Sequence, residues 1–219
     1  MTDSLTNAAL AGHIDHTLLS PTATPEDVVR HTEEALSLGV CAICVSPSML
    51  PHVPRDHGGL EIATVCGFPS GKHLPWLKAA EASAAVAHGA DEIDMVIDIA
   101  AAADGHYDLV ETEIRVVREA VPAPTVLKVI MESAVLSTSQ IAEVTRAAVR
   151  AGADFVKTST GFHPAGGANL DAVRTMVEAG EGRILVKASG GIRTREDAEA
   201  YLAAGADRLG VSATAAILE

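Results

Sequence analysis

Four stretches of the chain repeat one pattern, and that pattern narrows the architecture more than any other feature. SLGVCAICV (37–45), AHGADEIDM (87–95), RAGADFVKT (150–158) and AAGADRLGV (203–211) each run from a helix-like segment through a glycine into an apolar run. Gly39, Gly89, Gly152 and Gly205 stand where a helix ends in a left-handed residue. Three of these helices also start alike. Thr24 with Asp27, Ser137 with Gln140, and Thr194 with Asp197 each read as an N-cap followed three residues later by an acceptor.

Strand-like runs occur at 13–19, 40–46, 62–68, 91–98, 126–132, 155–159, 184–189 and 208–212. They are dense in Val and Ile, as strands buried on both faces are. Eight such runs separated by helical segments predict a parallel sheet. An open doubly wound sheet announces itself by G-x-G-x-x-G after its first strand, and that motif is absent. The repeats precede strands two, four, six and eight, as quarters of a barrel do, and their unequal lengths argue against a solenoid. The expectation is an α/β fold, a (β/α)8 TIM barrel forming one domain over residues 1–219, a length that suits such a barrel.

Charge and composition exclude several partners. Lys and Arg total 16 against 29 Asp and Glu, a formal charge of -13, and aromatics are 3%. Phosphate-backbone binding needs the opposite sign, and single strands need stacking platforms, so no nucleic acid is expected. The start, MTDSLTNAALAGHIDH, carries Asp3 and no Lys or Arg before Arg30, unlike a secretory leader. No apolar run approaches the ~20 residues of a membrane span, so no membrane partner is expected. Three cysteines in a chain of 219 residues fit a reducing, cytoplasmic setting. Cys41 and Cys44, like His13 and His16, are three apart on a strand and point to opposite faces, so neither pair can share a metal. No metal and no cofactor are expected.

Of five lysines, Lys72 and Lys78 flank a helix start and are expected in solvent. Lys128, Lys157 and Lys187 lie inside the apolar runs VLKVI, FVKTS and LVKAS, on strands five, six and seven. Lysine is almost never buried unpaired, so three on neighbouring strands point to convergence in the barrel interior. Carboxylates of matching parity, Asp94 and Asp98 on strand four and Glu132 beside Lys128, together with Asp15 on strand one, are the candidate counter-charges. Lysines and aspartates in a barrel interior suit Schiff-base chemistry, which needs a neutral amine. At a pKa near ~10.4 only about 1 lysine in 2,500 is neutral at pH 7. A second ammonium ~4 Å away contributes about 4 kcal/mol at an effective dielectric of ~20, enough to bring one amine close to neutrality. Residue spacing leaves open which lysine attacks.

TSTGF (158–162), SGGIR (189–193) and GVSA (210–213) follow strands six, seven and eight. Glycines there let backbone N–H groups approach an anion, and barrels commonly bind phosphate after strands seven and eight.

HIDHTLLSP, VCGFPSG, GADEIDMVID, LKVIMES, AGADFVKTSTGF and VKASGGIRT, in this order from residue 13 onward, resemble the deoxyribose-phosphate aldolases. The resemblance implies a metal-free, Schiff-base aldolase that reversibly cleaves 2-deoxy-D-ribose 5-phosphate to acetaldehyde and D-glyceraldehyde 3-phosphate in deoxyribonucleoside catabolism. By the same resemblance Lys157 is the nucleophile, Lys187 depresses its pKa and shares in proton transfer, and Asp94 relays protons. Lys128 and Asp15 support them, and Gly161, Gly190, Gly191, Gly210 and Ser212 bind the substrate phosphate. Phe162 stands where some members carry a lysine, and Ser46 and Asp98 stand where asparagine is frequent. The implied partners are small phosphorylated sugars and aldehydes, with a dimer as the expected assembly. Trp76 is expected to be half-buried on its helix.

Overall fold

Each repeated stretch is a helix exit that feeds a strand and locks it to its neighbour. Asp91, Asp154 and Asp207 accept from the backbone N–H of Ile62, Leu127 and Val186 at 2.9, 2.8 and 2.8 Å. Their own N–H groups donate to the carbonyls of the same three residues. Each aspartate thus clamps one strand to the strand before it. In the first quarter Cys41 takes the place, donating its thiol to the Ile14 carbonyl at 3.0 Å.

The computed structural model describes residues 5–219; Asp3, part of the segment read against a leader, lies outside them. Its strands are β1 (Ile14–Leu18), β2 (Ala42–Val45), β3 (Glu61–Cys66), β4 (Glu92–Val96), β5 (Val126–Ile130), β6 (Phe155–Lys157), β7 (Leu185–Ser189) and β8 (Arg208–Val211). All pair in parallel in sequence order, and β8 closes on β1. The chain is a (β/α)8 barrel. Its helices are α1 (Asn7–Ala11), α2 (Pro25–Leu38), α3 (Pro75–Ala87), α4 (Ile99–Ala103), α5 (Tyr107–Ala120), α6 (Thr138–Ala151), α7 (Leu170–Gly180), α8 (Arg195–Ala203) and α9 (Thr214–Leu218). Between β2 and β3 the connection is a 3₁₀ turn, Pro47–His52, rather than an α-helix, because Pro51 interrupts it. Among the described residues no helix is long and apolar enough to cross a membrane.

The helix ends follow the sequence pattern. Thr24 and Ser137 form reciprocal capping boxes with Asp27 and Gln140, and the Thr194 side chain accepts from the Asp197 N–H. Gly39 and Gly152 are left-handed caps, with φ of 66° and 79°. Outward-facing Ile43, Val45, Met95, Val129 and Val156 join the apolar layer under the helices. The inward face is small or charged: Cys44, Ala63 and Val65 on β2 and β3, then the lysines and aspartates.

Three expectations change. Lys78 is buried, not solvated: its stem passes under the backbone of Gly67, and Nζ donates to the Val96 carbonyl and Glu113 at 2.8 and 2.7 Å. Trp76 is 60% exposed rather than half-buried. Asp98 does not face the interior, because β4 ends at Val96; it caps α4 and pairs with the exposed Lys72 at 2.8 Å.

Candidate active site

Strand register stacks the interior charges into one cluster. Asp94 is paired with Lys128 across β4 and β5, Lys157 with Lys187 across β6 and β7, and Asp15 with Gly210 across β1 and β8. The inward parity of each strand therefore brings Lys128, Lys157, Lys187, Asp94 and Asp15 together, all with side chains at most 5% exposed. Asp94 is the hub. Its Oδ1 accepts from Lys128 at 2.8 Å, and its Oδ2 accepts from Lys157 at 2.7 Å and Lys187 at 2.8 Å. Lys187 also donates to Asp15.

Burial is the main force lowering the Lys157 amine below its ordinary pKa, and the Lys187 ammonium adds to it while Asp94 opposes. The neighbouring ammonium anticipated from the sequence is thus the smaller contributor. Burial acts on Lys187 in the same sense, but Asp15 and Asp94 outweigh it and hold that amine well above its ordinary value. Lys128 is likewise raised, burial being overcome by its carboxylates. Burial would raise Asp94 and Asp15, but the lysines beside them hold both below the usual carboxylate range. An amine lowered by burial beside ammonium groups held high is the arrangement an amine nucleophile needs.

Two cluster members escaped the sequence reading. Glu92 binds Lys128, and Arg208 binds Asp15 at 2.6 Å and reaches Glu92 at 3.5 Å. Both were accessible to the parity argument, since Glu92 lies two residues before Asp94 and Arg208 two before Gly210. Glu132, nominated as a counter-charge, is not in the cluster. The strand ends at Ile130, Glu132 turns left-handed at φ 54°, and its carboxylate accepts from the Thr160 hydroxyl at 2.5 Å.

Above the cluster opens a cleft of about 550 Å³ at the C-terminal ends of the strands. Lys157 lies at its floor, and Gly161, Gly190, Gly191, Gly210 and Ser212 all line it. Gly190 and Gly191 have φ of 90° and 82°, which glycine tolerates without strain. A Cβ on Gly167 would lie 2.1 Å from the Gly190 carbonyl oxygen, so Gly167, not foreseen, must be glycine for the loop to close. Space around Gly191 is open. Arg193 lines the same cleft beside the Thr194 cap of α8, a cation the sequence reading did not nominate. Phe162 lines the cleft too and meets Phe68 edge to face at 5.1 Å.

Cys44 lies in the interior and Cys41 points to the Ile14 carbonyl. His16 stacks on His31 at 3.8 Å outside the barrel, and His13 bonds the Asp207 carbonyl.

Residues 9–218 match the family described as DeoC/LacD family aldolase. The deoxyribose-phosphate aldolase of Nocardia farcinica is 59% identical over 215 residues, 98% of this chain and 95% of that protein. That of Kocuria rhizophila is 56% identical over 216 residues, 98% of each. Among solved structures, the deoxyribose phosphate aldolase of Aeropyrum pernix, described as a unique tetramer, superposes with a TM-score of 0.90 at 33% identity, covering 99% of this chain and 92% of that one.

Proposed function

The chain belongs to the DeoC/LacD family of aldolases, and on that premise we propose that it cleaves 2-deoxy-D-ribose 5-phosphate to acetaldehyde and D-glyceraldehyde 3-phosphate through an imine on Lys157. The observation that carries this reading is the single lowered amine, Lys157, at the floor of a cleft whose walls suit a phosphate.

The neutral Lys157 amine attacks the aldehyde carbon of the open-chain sugar, and loss of one water leaves an iminium. A base removes the proton of the C3 hydroxyl, the C2–C3 bond breaks, and its electron pair moves into the iminium to give an enamine. Glyceraldehyde 3-phosphate departs. The enamine is protonated on carbon, and one water hydrolyses the resulting iminium to acetaldehyde and the free amine. Asp94, already in contact with Lys157, is placed to hold and pass these protons, and Lys187 supplies the neighbouring positive charge. Gly190, Gly191, Gly161, Gly210 and Ser212, with Arg193, hold the phosphate at the mouth of the cleft. Lys128 and Asp15 keep the catalytic groups in register.

Coupling acetaldehyde release to its enzymatic reduction tests the reading. Turnover of 2-deoxyribose 5-phosphate that EDTA leaves unchanged is expected. Absence of acetaldehyde, or a rate lost to EDTA and restored by zinc, would refute it. A cytoplasmic location completes the reading, supported by three free cysteines. Light scattering reads the expected dimer directly.

A further inference from the structure

The charged side chains inside the barrel form a closed account. Among the described residues, four cationic side chains, Lys128, Lys157, Lys187 and Arg208, are joined by ion pairs to three carboxylates, Asp15, Glu92 and Asp94. No carboxylate belongs to one partner. Glu92 serves Lys128 and Arg208, Asp15 serves Lys187, Arg208 and, at 3.8 Å, Lys128, and Asp94 serves all three lysines. A buried cluster is least costly when its charges cancel. With four potential cations and three anions, cancellation requires one neutral lysine. Arginine cannot be the one to yield its proton.

We propose that Arg208 and Glu92, at the N-terminal end of the barrel, are positioning residues that act through this charge balance to keep Lys157 as the free amine. The inference rests on the reading of Lys157 as the nucleophile. Arg208 occupies part of Asp15 and Glu92, so those carboxylates are saturated before Lys157 is counted. Lys157 itself reaches only Asp94, already shared by Lys128 and Lys187. It is the cation with the fewest anionic contacts, and therefore the one that gives up its proton. Burial lowers its amine in the same sense.

Five strands bring charged side chains to bear on Lys157. β1 gives Asp15, β4 gives Glu92 and Asp94, β5 Lys128, β7 Lys187 and β8 Arg208. From β2 come the Cys44 thiol, pushed up to about 11 by burial, and at the strand entry Cys41, pushed up to about 12 for the same reason; both stay uncharged at neutral pH. On β3 the interior residues Ala63 and Val65 carry no charge, and Glu61 sits exposed at the strand's first residue. Arg193 and Glu132 stand beyond the strand ends.

The test is the pH at which Lys157 becomes half-reactive, read by mass spectrometry after trapping acetaldehyde with cyanoborohydride, with Lys72 as the internal solvent-exposed reference. Removing the cation leaves the cluster too negative, so Arg208→Met should move the Lys157 midpoint up by about one unit. Removing the anion leaves it too positive, so Glu92→Gln should move it down by about one unit. The double variant restores the balance and should return near the wild-type midpoint, and Arg208→Lys, which keeps the charge, should hold it. A merely structural role predicts none of these opposed signs. If Arg208→Met does not fold, Glu92→Gln and Arg208→Lys still decide. Shifts of one sign in both single variants, or unmoved midpoints with Lys157 still labelled, would overturn the inference. Wild-type protein unlabelled at Lys157 would instead overturn the nucleophile reading beneath it.

Discussion

Lys157 and Lys187 donate to the same oxygen, Oδ2 of Asp94, at 2.7 and 2.8 Å. Two amines on one carboxylate oxygen compete for one negative charge, and Lys187, with Asp15 as a second anion, wins it. Lys187→Leu removes the competitor and leaves Asp94 free to hold Lys157 as an ammonium. The acidic limb of the kcat/KM profile for 2-deoxyribose 5-phosphate should then move up by more than about one pH unit. An unmoved limb would mean that burial alone neutralises Lys157.

Asp94→Asn removes the hub and leaves three buried amines with one fewer anion. Breaking a buried ionic contact of this kind typically costs about 3–5 kcal/mol, so urea unfolding should show a less stable protein. Imine formation should persist, because the variant does not bind Lys157 more tightly as an ammonium. Turnover should fall by about 10²-fold or more if Asp94 relays the protons. Loss of trapping in a folded Asp94→Asn protein would make Asp94 an orienting group only.

The phosphate end is tested by comparing phosphorylated with unphosphorylated sugar. Gly191 has φ 82° and open space ahead of it, so Gly191→Val strains the turn and projects methyl groups into the cleft. Arg193→Met removes the cation at the cleft. Both should lower kcat/KM for 2-deoxyribose 5-phosphate, by ~10-fold or more, and change 2-deoxyribose much less. Phe162→Lys should tighten the phosphate ester by about 1 kcal/mol where the ammonium reaches it. A ratio of the two substrates unchanged by Gly191→Val places the phosphate elsewhere.

The stacked pair His16 and His31 should make the fold sensitive to mild acid. Burial pushes both imidazoles down from 6.5 to about 4. Above pH 6.5 folded and unfolded chains are alike neutral at these rings. Below it only the unfolded chain takes the protons, so stability falls as pH drops from 6.5 toward 4. At pH ~5 the loss is about 2 kcal/mol for each histidine with the full shift. Asp15 and Asp94, held below their ordinary range, contribute stability that is lost only at still lower pH. Urea unfolding at neutral pH and near pH ~5 should show this drop, and His31→Phe, which keeps the stacked ring, should shrink it.

How far the sequence reached depended on which side of a strand's end a residue lay. Runs of Val and Ile marked all eight strands because both faces of a parallel barrel are buried. Most runs overshot the end of their strand, since strand-like residues continue after the ladder stops, as at β6, where Thr158 and Ser159 follow Phe155–Lys157. The same overshoot misplaced Asp98 and Glu132: parity was carried past Val96 and Ile130, where it no longer holds. Within the strands parity worked for Lys128, Lys157, Lys187 and Asp94. Glu92 and Arg208 obey it as well, but they begin their strands, where charged residues are ordinarily solvated. Lys78 was misread for a tertiary reason, since its counter-charge, Glu113, lies 35 residues away on α5. Which lysine attacks came from family resemblance alone, because register makes Lys157 and Lys187 direct neighbours and only their unequal share of carboxylates separates them.

The most direct test of the account is to reduce the protein with borohydride in the presence of acetaldehyde and map the modified peptide by mass spectrometry. The expected result is a reduced two-carbon adduct on Lys157, abolished in Lys157→Ala with nearly all cleavage activity lost, while Lys128 and Lys187 stay unmodified. An adduct confined to Lys187, or a fully active enzyme with no adduct at all, would contradict it.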